Sequence, residues 1–571
     1  MVAHRDGSRS SSSSSSSSDV AVSYVLRAPA KRGRFLAAKA RELGVLPGPA
    51  FGKLTNGQAV TTPAGKVVRP EECMELAEPA QSLAVVACPT PAHLAGMARI
   101  LTPEALGDLG GLRFVVHLAP AAVLADARYA SWAAAVSGPQ TQHIFANRVM
   151  SPERCVFRAS AKIQARLAQR VPGGLFRPDA TAIAERNADG ATPLQAVAPE
   201  LAALLGERAI VADMCMQLVL HPQSRRGLHP AEPDDNADLS GCDTVNLAGQ
   251  SDCPAPSDGA GKSSKGFSIS FLGTGAAIPS KYRNVTSMLC RLPAGEDGRA
   301  PSAILMDAGE GTTIQIGRLL GTAAAEKLLR EELALVWVSH MHADHHLGLL
   351  RILHERGPQS APLHIMGPDI LGDFLACCMR GDPSITGKFH FSPIVRSNTG
   401  LAEIVAASET SRQADALAAE LVRCGVARLV SVPVIHCFNS FGLVLDLASG
   451  ERIVYSGDTR PCDELVDAGK GADLLIHEAT FEEEKKDEAV GKKHSTTAEA
   501  ISIGSRMGAK FTALTHFSQR YPKVSPKSGA GEETRVIVAS DLMTIFSSDL
   551  DAASAATPEI AAVLAEFEAD K

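Results

Sequence analysis

Nowhere does the chain stay apolar and uncharged for the ~18 residues that a membrane-spanning helix needs, so no transmembrane helix is expected. Nor is there an excess of positive charge. The 56 Lys and Arg stand against 63 Asp and Glu, a net charge of −7, so a polyanionic partner would have to be met by local basic patches. The 12 Cys show no paired zinc-finger spacing; Cys377 and Cys378 are adjacent and the rest are scattered. In a chain this long that argues against a disulfide framework and for reduced thiols of an intracellular protein. What is present is an ordinary globular composition, 45% apolar and 21% charged. Its 571 residues exceed what one hydrophobic core supports, so two domains or more are expected.

Residues 8–18 read SRSSSSSSSSS and bury too little apolar surface to order themselves, so 1–20 is expected to be disordered. The start, MVAHRDGSRS, is basic and Ser-rich like a transit peptide, but it lacks an apolar face and contains Asp6. Import into a mitochondrion or plastid is therefore the lesser expectation beside nucleus or cytoplasm. Residues 21–230 alternate strand-like runs (LAVVACP, FVVHLAP) with helical patterns such as PAAVLADARYASWAAAV, and form a first folded region. Residues 231–266 are rich in Asp, Ser, Pro and Gly and read as a linker.

A second region runs from 267 to about 550. Nine strand-like runs are read there, from SISFLG at 268–273 to FTALTHF at 511–517, with helical segments between several of them. Strand pairs mixed with crossover helices suggest an α/β domain of two sheets with helices outside. The Ala-rich tail, 551–571, reads as helical.

The densest chemistry is SHMHADHH at 339–346, directly after an apolar strand. H-x-H-x-D-H places His340, His342, Asp344 and His345 within six residues, a donor set that suits zinc. The bland alternative is a His-rich surface loop. Against it, His436 ends RLVSVPVIH, Asp458 ends RIVYSGD and His516 ends FTALTHF. Each alone would pass as a structural residue, but in this order they complete a set for two metals. Two ions ~3.5–4 Å apart can clamp the attacking and leaving oxygens of an in-line displacement at phosphorus. The same pair serves β-lactam, thioester and sulfur substrates, so the metals alone do not name the reaction.

This series resembles the ligand series of the metallo-β-lactamase superfamily. The resemblance implies an αββα four-layer sandwich, with His340, His342 and His436 on one zinc, Asp344, His345 and His516 on a second, and Asp458 bridging. FLGTGAAIPSKYRNVTSML, GEGT after LMDA, HEAT at 477–480, HST at 494–496 and THFSQRYPKV occur in order between about 268 and 525. Together they resemble tRNase Z, which implies an endonuclease removing the 3′ trailer of precursor tRNA after the discriminator base and leaving a 3′-hydroxyl. By that resemblance Asp344 is catalytic as well as a ligand, and His494, paired with Glu478, is the proton donor. Lys281, Arg283 and Asn284 of PSKYRN suit contacts near an RNA end. Read without the flanking motifs, Glu478 is a surface acid, His494 one charge in KKHST, and K-x-R a solvated turn.

RGRFLAAKARELGVLPGPAFGKLTNGQAV at 32–60, with VVHLAPAAVLADARYASW and GPQTQHIFAN, resembles the N-terminal half of the long form of that family. The resemblance implies a degenerate, partial metallo-β-lactamase-like domain whose arm, about 25–75, grips tRNA. No H-x-H-x-D-H occurs in 21–230, as such a half requires. The run 27–41 holds Arg27, Lys31, Arg32, Arg34, Lys39 and Arg41 without an acid, which makes it a candidate phosphate contact or, alternatively, a solvated helix face. The Ser tract stands where the family has further elements, so this half is shortened. A monomer using its two related halves is the expectation, with a homo-oligomer as the alternative. The rival functions are another hydrolase of the same fold and a non-catalytic RNA-binding scaffold.

Overall fold

The computed structural model describes residues 2–5, 20–107, 112–147, 149–151, 157–182, 192–213, 216–221, 223–229, 266–295, 298–357, 359–395, 402–405, 412–518 and 535–567. The Ser tract, nearly all of the linker and the QRYPKV part of THFSQRYPKV lie outside them. The chain divides into two compact units, 1–156 with 188–234, and 157–187 with 235–571.

Among the described residues, the second unit holds two seven-stranded sheets. In the first sheet the order is Phe389–Pro393, Leu363–Gly367, Leu333–Trp337, Ser302–Ala308, Ser287–Leu292, Ser268–Gly273 and Met543–Phe546. In the second it is Ala402–Val405, Val426–Pro433, Phe441–Leu447, Arg452–Tyr455, Leu474–Glu478, Phe511–Thr515 and Val536–Val538. Strands buried on both faces sort their side chains by alternation. Along Ser302–Ala308, Ile304 and Met306 enter the core between the sheets, while Ala303 and Leu305 face outward under helices. Leu443 and Leu445 of the second sheet point into the same inner core, and Val444 points out. Helices Thr312–Leu320, Leu349–Glu355 and Asp369–Gly381 cover the outer face of the first sheet with Ile316, Ile352 and Leu371. Helices Asp463–Ala468 and Thr497–Met507 cover the second with Leu465 and Ile503. The result is the expected αββα sandwich.

Four strands in each sheet run parallel: 302–308, 333–337, 363–367 and 389–393 in the first, 452–455, 474–478, 511–515 and 536–538 in the second. Their carboxyl ends open on one edge of the sandwich, where ligands bind in sheets of this kind. The sequence motifs sit at those ends.

The first unit has, among the described residues, one six-stranded sheet and its own core around Phe145, Trp132, Tyr129 and Leu201. Its expected single helix at 120–136 is two, Ala121–Leu124 and Ala127–Ala135, because Asp126 caps the second by accepting from the Arg128 backbone N–H. A small module hangs between two adjacent antiparallel strands, Val20–Ala28 and Gln81–Ala87. Reciprocal backbone bonds between Lys31 and Glu78 close its base at 3.0 and 2.8 Å. Inside, Ala40, Val45, Leu54, Val68 and Cys73 pack together, with Phe35 edge-on to Phe51 at 5.0 Å. The arm expected at about 25–75 is thus a packed body of 31–78, since residues up to 28 belong to the sheet.

Three boundaries need correction. Val2–Arg5 forms a strand paired with Val20–Ser23, so the segment 1–20 is not disordered throughout. Residues 157–187, read as part of the first half, belong to the second unit. Ile163 and Leu167 of helix Arg158–Arg170 join its core, and Asp179 pairs with buried Arg318 at 2.6 Å. The tail read as a separate piece after 550 is helix Leu550–Glu566, whose Ala553, Ile560 and Val563 enter the same core.

Candidate metal centre

All seven candidate ligands converge. His340 Nε2 lies 2.9 Å from His342 Nδ1, and His436 Nε2 lies 3.1 Å from the same atom. These three form one group that could hold a metal; Asp344, His345 and His516 form another. Asp458 faces both. Its Oδ2 is 3.6 Å from His340, 3.7 Å from His436 and 3.3 Å from His345, and its Oδ1 is 3.3 Å from His516. Cys437, not singled out in the sequence, brings its thiol to the first group.

The chain's hydrogen bonds decide which nitrogen of each ring faces inward. Asp307 takes the Nδ1 proton of His345 at 2.7 Å. Ser339 Oγ donates to Asp307, so it accepts from His340 Nδ1 at 2.9 Å. The Lys493 carbonyl accepts from His436 Nδ1 at 2.9 Å. Thr480 Oγ1 donates to Glu478 and so accepts from His516 Nδ1 at 2.9 Å. In its neutral form each of the four rings then presents the Nε2 lone pair to the middle. The buried atoms His345 Nε2, His516 Nε2 and Asp458 Oδ1 have no hydrogen-bond partner among the described residues. Converging lone pairs and carboxylates repel one another, and cations between them remove that cost. The donor set of imidazole and carboxylate fits zinc.

Backbone geometry serves the same convergence. Gly457, before Asp458, has φ +57°, and a Cβ there would stand 2.5 Å from the Phe441 carbonyl oxygen. A Cβ on Gly309 would stand 2.3 Å from the Asp344 carbonyl oxygen, which is why GEGT follows LMDA. Asp307 and His516, both non-glycine, adopt φ of 59°, and such residues cluster at functional sites. Asp307 lies in LMDA and Thr480 in HEAT, but the sequence assigns neither a role, because which group holds a ring nitrogen shows only in the fold.

Glu478, fully buried, lies beside the cluster. It accepts from the Thr459 N–H at 2.8 Å and Thr480 Oγ1 at 2.6 Å, and pairs with His494 Nδ1 at 2.8 Å. Burial acts to raise the Glu478 carboxyl, but the charge and hydrogen bond of His494 bring it below its ordinary value. Burial likewise lowers His494, and the Glu478 charge and hydrogen bond, with Asp458 behind, outweigh it and lift His494 to about 9. Asp344 is held well below the usual carboxylate range: burial opposes this, and His345 and His516 prevail. The Ala277 N–H also donates to Asp344, at 2.7 Å.

The PSKYRN loop departs from expectation. Of its three candidate RNA contacts, only Lys281 is exposed. Arg283 is buried; it donates to Thr274 Oγ1 at 2.6 Å and stacks on Phe517 at 4.8 Å. Asn284 spends its N–H on Asp541 at 2.6 Å and its side-chain amide on the Glu310 carbonyl at 2.9 Å. Arg283 and Asn284 build the loop and do not reach outward from it. In the first unit Lys31, Arg32 and Arg34 are all exposed; Arg32 donates to the Thr55 carbonyl at 2.5 Å and Arg34 pairs with Glu75 at 3.1 Å.

Two sheets under helices with this cluster at their edge define a protein of the metallo-β-lactamase fold. A family model described as "Anti-Pycsar protein Apyc1" matches residues 267–534. "Ribonuclease Z, mitochondrial" of Drosophila melanogaster is 31% identical over 582 residues, 96% of this chain and 71% of that protein. The chain belongs to the long-form tRNase Z family. "tRNAse Z TRZ4, mitochondrial" of Arabidopsis thaliana is 31% identical, over 95% of this chain and 66% of that protein. "Zinc phosphodiesterase ELAC protein 2" of Homo sapiens is 32% identical, over 96% and 65%. The chain thus spans just under two thirds of the length of these two relatives. A crystal structure of a long-form RNase Z from yeast superposes with a TM-score of 0.67 at 20% identity, covering 87% of this chain and 72% of that one, and shares the fold. No helix among the described residues is long and apolar enough to cross a membrane.

Proposed function

We propose that this chain is a two-zinc endoribonuclease that removes the 3′ trailer of precursor tRNA after the discriminator base. The observation that carries the reading is Asp458 facing two His/Asp groups at 3.3–3.7 Å, with the Glu478–His494 pair beside them. Membership of the family supports the choice of RNA over the other substrates such a centre serves. His340, His342 and His436 would hold one zinc, and Asp344, His345 and His516 the other, with Asp458 between. Two zinc ions, when bound, supply an activated water and charge to steady an in-line displacement.

The residues do the rest. Asp344, ionised beside the cluster, takes a proton from the attacking water. The P–O3′ bond breaks, so the trailer leaves with a 5′-phosphate and the tRNA keeps a 3′-oxygen. His494, its Nδ1 fixed by Glu478, gives that oxygen a proton from Nε2. Lys281 and the exposed Lys31, Arg32 and Arg34 contact phosphates. The intracellular compartments proposed from the sequence include the mitochondrion, and two relatives carry that word in their names. Cleavage of a 3′-extended tRNA with end mapping, with and without chelator, is the test. A chelator-sensitive cut after the discriminator base is expected; no cut, or a cut elsewhere that ignores chelation, refutes the reading.

A further inference from the structure

We infer that Arg460 is a positioning residue for proton donation: it clamps the loop of His494 to the segment that carries Asp458. The inference rests on the reading of His494 as the proton donor. Arg460 stands two residues after Asp458 and is largely buried, with 17% of its side chain exposed. One nitrogen, Nη1, donates to the His494 carbonyl oxygen at 2.5 Å and to Glu499 Oε2 at 2.7 Å. The other, Nη2, donates to Glu499 Oε1 at 2.6 Å. Glu499 in turn accepts from the Thr496 N–H at 3.0 Å, closing a capping box with Thr496 that starts helix Thr497–Met507. The planar guanidinium therefore binds the carbonyl of the donor residue and the cap of the helix after it at once.

The neighbours of Arg460 point the same way. Thr459 donates its N–H to Glu478 Oε1, the oxygen that also holds His494 Nδ1. The Thr459 carbonyl accepts from Ser495 Oγ at 2.6 Å. The Arg460 N–H is tied to the Ile435 carbonyl at 3.0 Å, next to His436. Three consecutive residues, 458–460, thus hold the carboxylate between the metal groups, the Glu478 that orients the imidazole, and the backbone that carries the imidazole. Glu478 fixes where Nδ1 points. It does not by itself fix the backbone that carries the ring, which is held on the entering side by the His494 N–H on the Ala489 carbonyl at 2.9 Å and by the Lys493 carbonyl on His436 Nδ1 at 2.9 Å. Arg460 holds it on the leaving side, through the His494 carbonyl, and without it that part-buried carbonyl loses this donor. Nothing in this requires Arg460 to touch substrate.

The test separates positioning from general damage by changing the leaving atom. A 3′-oxygen needs a proton as it leaves; a 3′-bridging sulfur leaves as thiolate and does not. Matched 3′-extended tRNAs with oxygen or sulfur at the scissile position are cut by wild type, Arg460→Ala and Arg460→Lys under single turnover. Arg460→Ala is expected to lose about 10–100-fold on the oxygen substrate, part of the 10²–10⁴ that a general acid contributes, and less than about threefold on the sulfur one. Lys, a point charge that cannot form both bonds to Glu499 and the one to the carbonyl, should recover part of the loss. Metal content should stay at the wild-type value, and hydrogen exchange over residues 490–497 should rise. Equal losses on both substrates, or loss of metal, overturn the inference. If wild type cuts neither tRNA, the substrate reading fails; unchanged exchange over 490–497 in Arg460→Ala would then overturn the clamp independently.

Discussion

The carboxylate of Asp307 takes the Nδ1 proton of His345 at 2.7 Å, and neither side chain is exposed to solvent. The same oxygen receives Ser339 Oγ at 2.8 Å and the Tyr455 hydroxyl at 2.7 Å, while the other accepts the Ser339 N–H at 2.7 Å. One acid thus sets the tautomer of His345 directly and of His340 through Ser339. Replacing Asp307 with Asn should lower metal affinity about 10–100-fold, the usual effect of losing such a partner. Zinc titration of the purified variant measures it. Affinity equal to wild type would mean that the two rings find their orientation without Asp307.

Asp344→Ala should abolish cleavage and leave tRNA binding largely intact. The substitution removes a candidate ligand and the proposed proton acceptor together. Gel-shift binding and single-turnover cleavage are compared; activity within about tenfold of wild type is incompatible with a general-base role.

His494→Ala should slow the chemical step by about 10²–10⁴ and spare metal content, since its Nδ1 is engaged by Glu478 and a general acid contributes about that much. Metal analysis decides between roles. A variant that loses zinc would make His494 a ligand.

Replacing Lys31, Arg32 and Arg34 with Ala should raise KM for precursor tRNA and flatten its salt dependence. The log–log slope should shrink by roughly 0.7–0.9 for each phosphate the variant no longer neutralises. Arg34 already pairs with Glu75, so its share should be the smallest. An unchanged slope would assign these cations to solvent.

Acid should loosen the first unit. His117 shares hydrogen bonds with the Tyr129 hydroxyl at 2.7 Å and with His143 at 2.9 Å, and His143 reaches Ser137 at 2.7 Å. Burial, then the neighbouring His143, holds His117 well below its ordinary value; burial, then Arg208, lowers His143 to about 4. Unfolded, both rings take a proton near 6.5. Between about 6.5 and about 4 the unfolded state therefore binds more protons, so this stability is fully present above 6.5 and falls as pH drops. Hydrogen exchange over residues 114–145, corrected for intrinsic rate, should show protection falling from pH 7 to pH 5. Constant protection would show that the pair does not titrate on unfolding.

Much of this was legible in the sequence, for physical reasons. SISFLG is a strand at the bounds read from it, because Ser alternates with Ile and Phe at the period of a strand. LALVWVSH at 333–340, another of the nine strand-like runs, is longer than the strand it contains. The strand ends at Trp337, where the chain turns to bring His340 and His342 inward, and periodicity does not mark a functional turn. Phe389–Pro393, at the edge of its sheet and only partly buried, carries little pattern and was missed. The ligands were readable because H-x-H-x-D-H is dense and local. Arg283 was misjudged because a cation in a Pro-bounded loop says nothing about direction. Nearby Asp541, which accepts from Thr274 and Asn284, lies far along the chain, and only the fold brings it to the loop.

The path of the chain through its two units has a consequence for how the halves relate. Residues 157–187 enter the second unit, and 188–234 return to the first before the chain commits to the sandwich. The two units therefore alternate along the sequence. No single cut frees either one whole: severing the chain at the linker would leave helix Arg158–Arg170 on one fragment and its partner Leu550–Glu566 on the other. During synthesis the apolar face of that first helix emerges hundreds of residues ahead of the helix that covers it, so its burial waits until Leu550–Glu566 has been made.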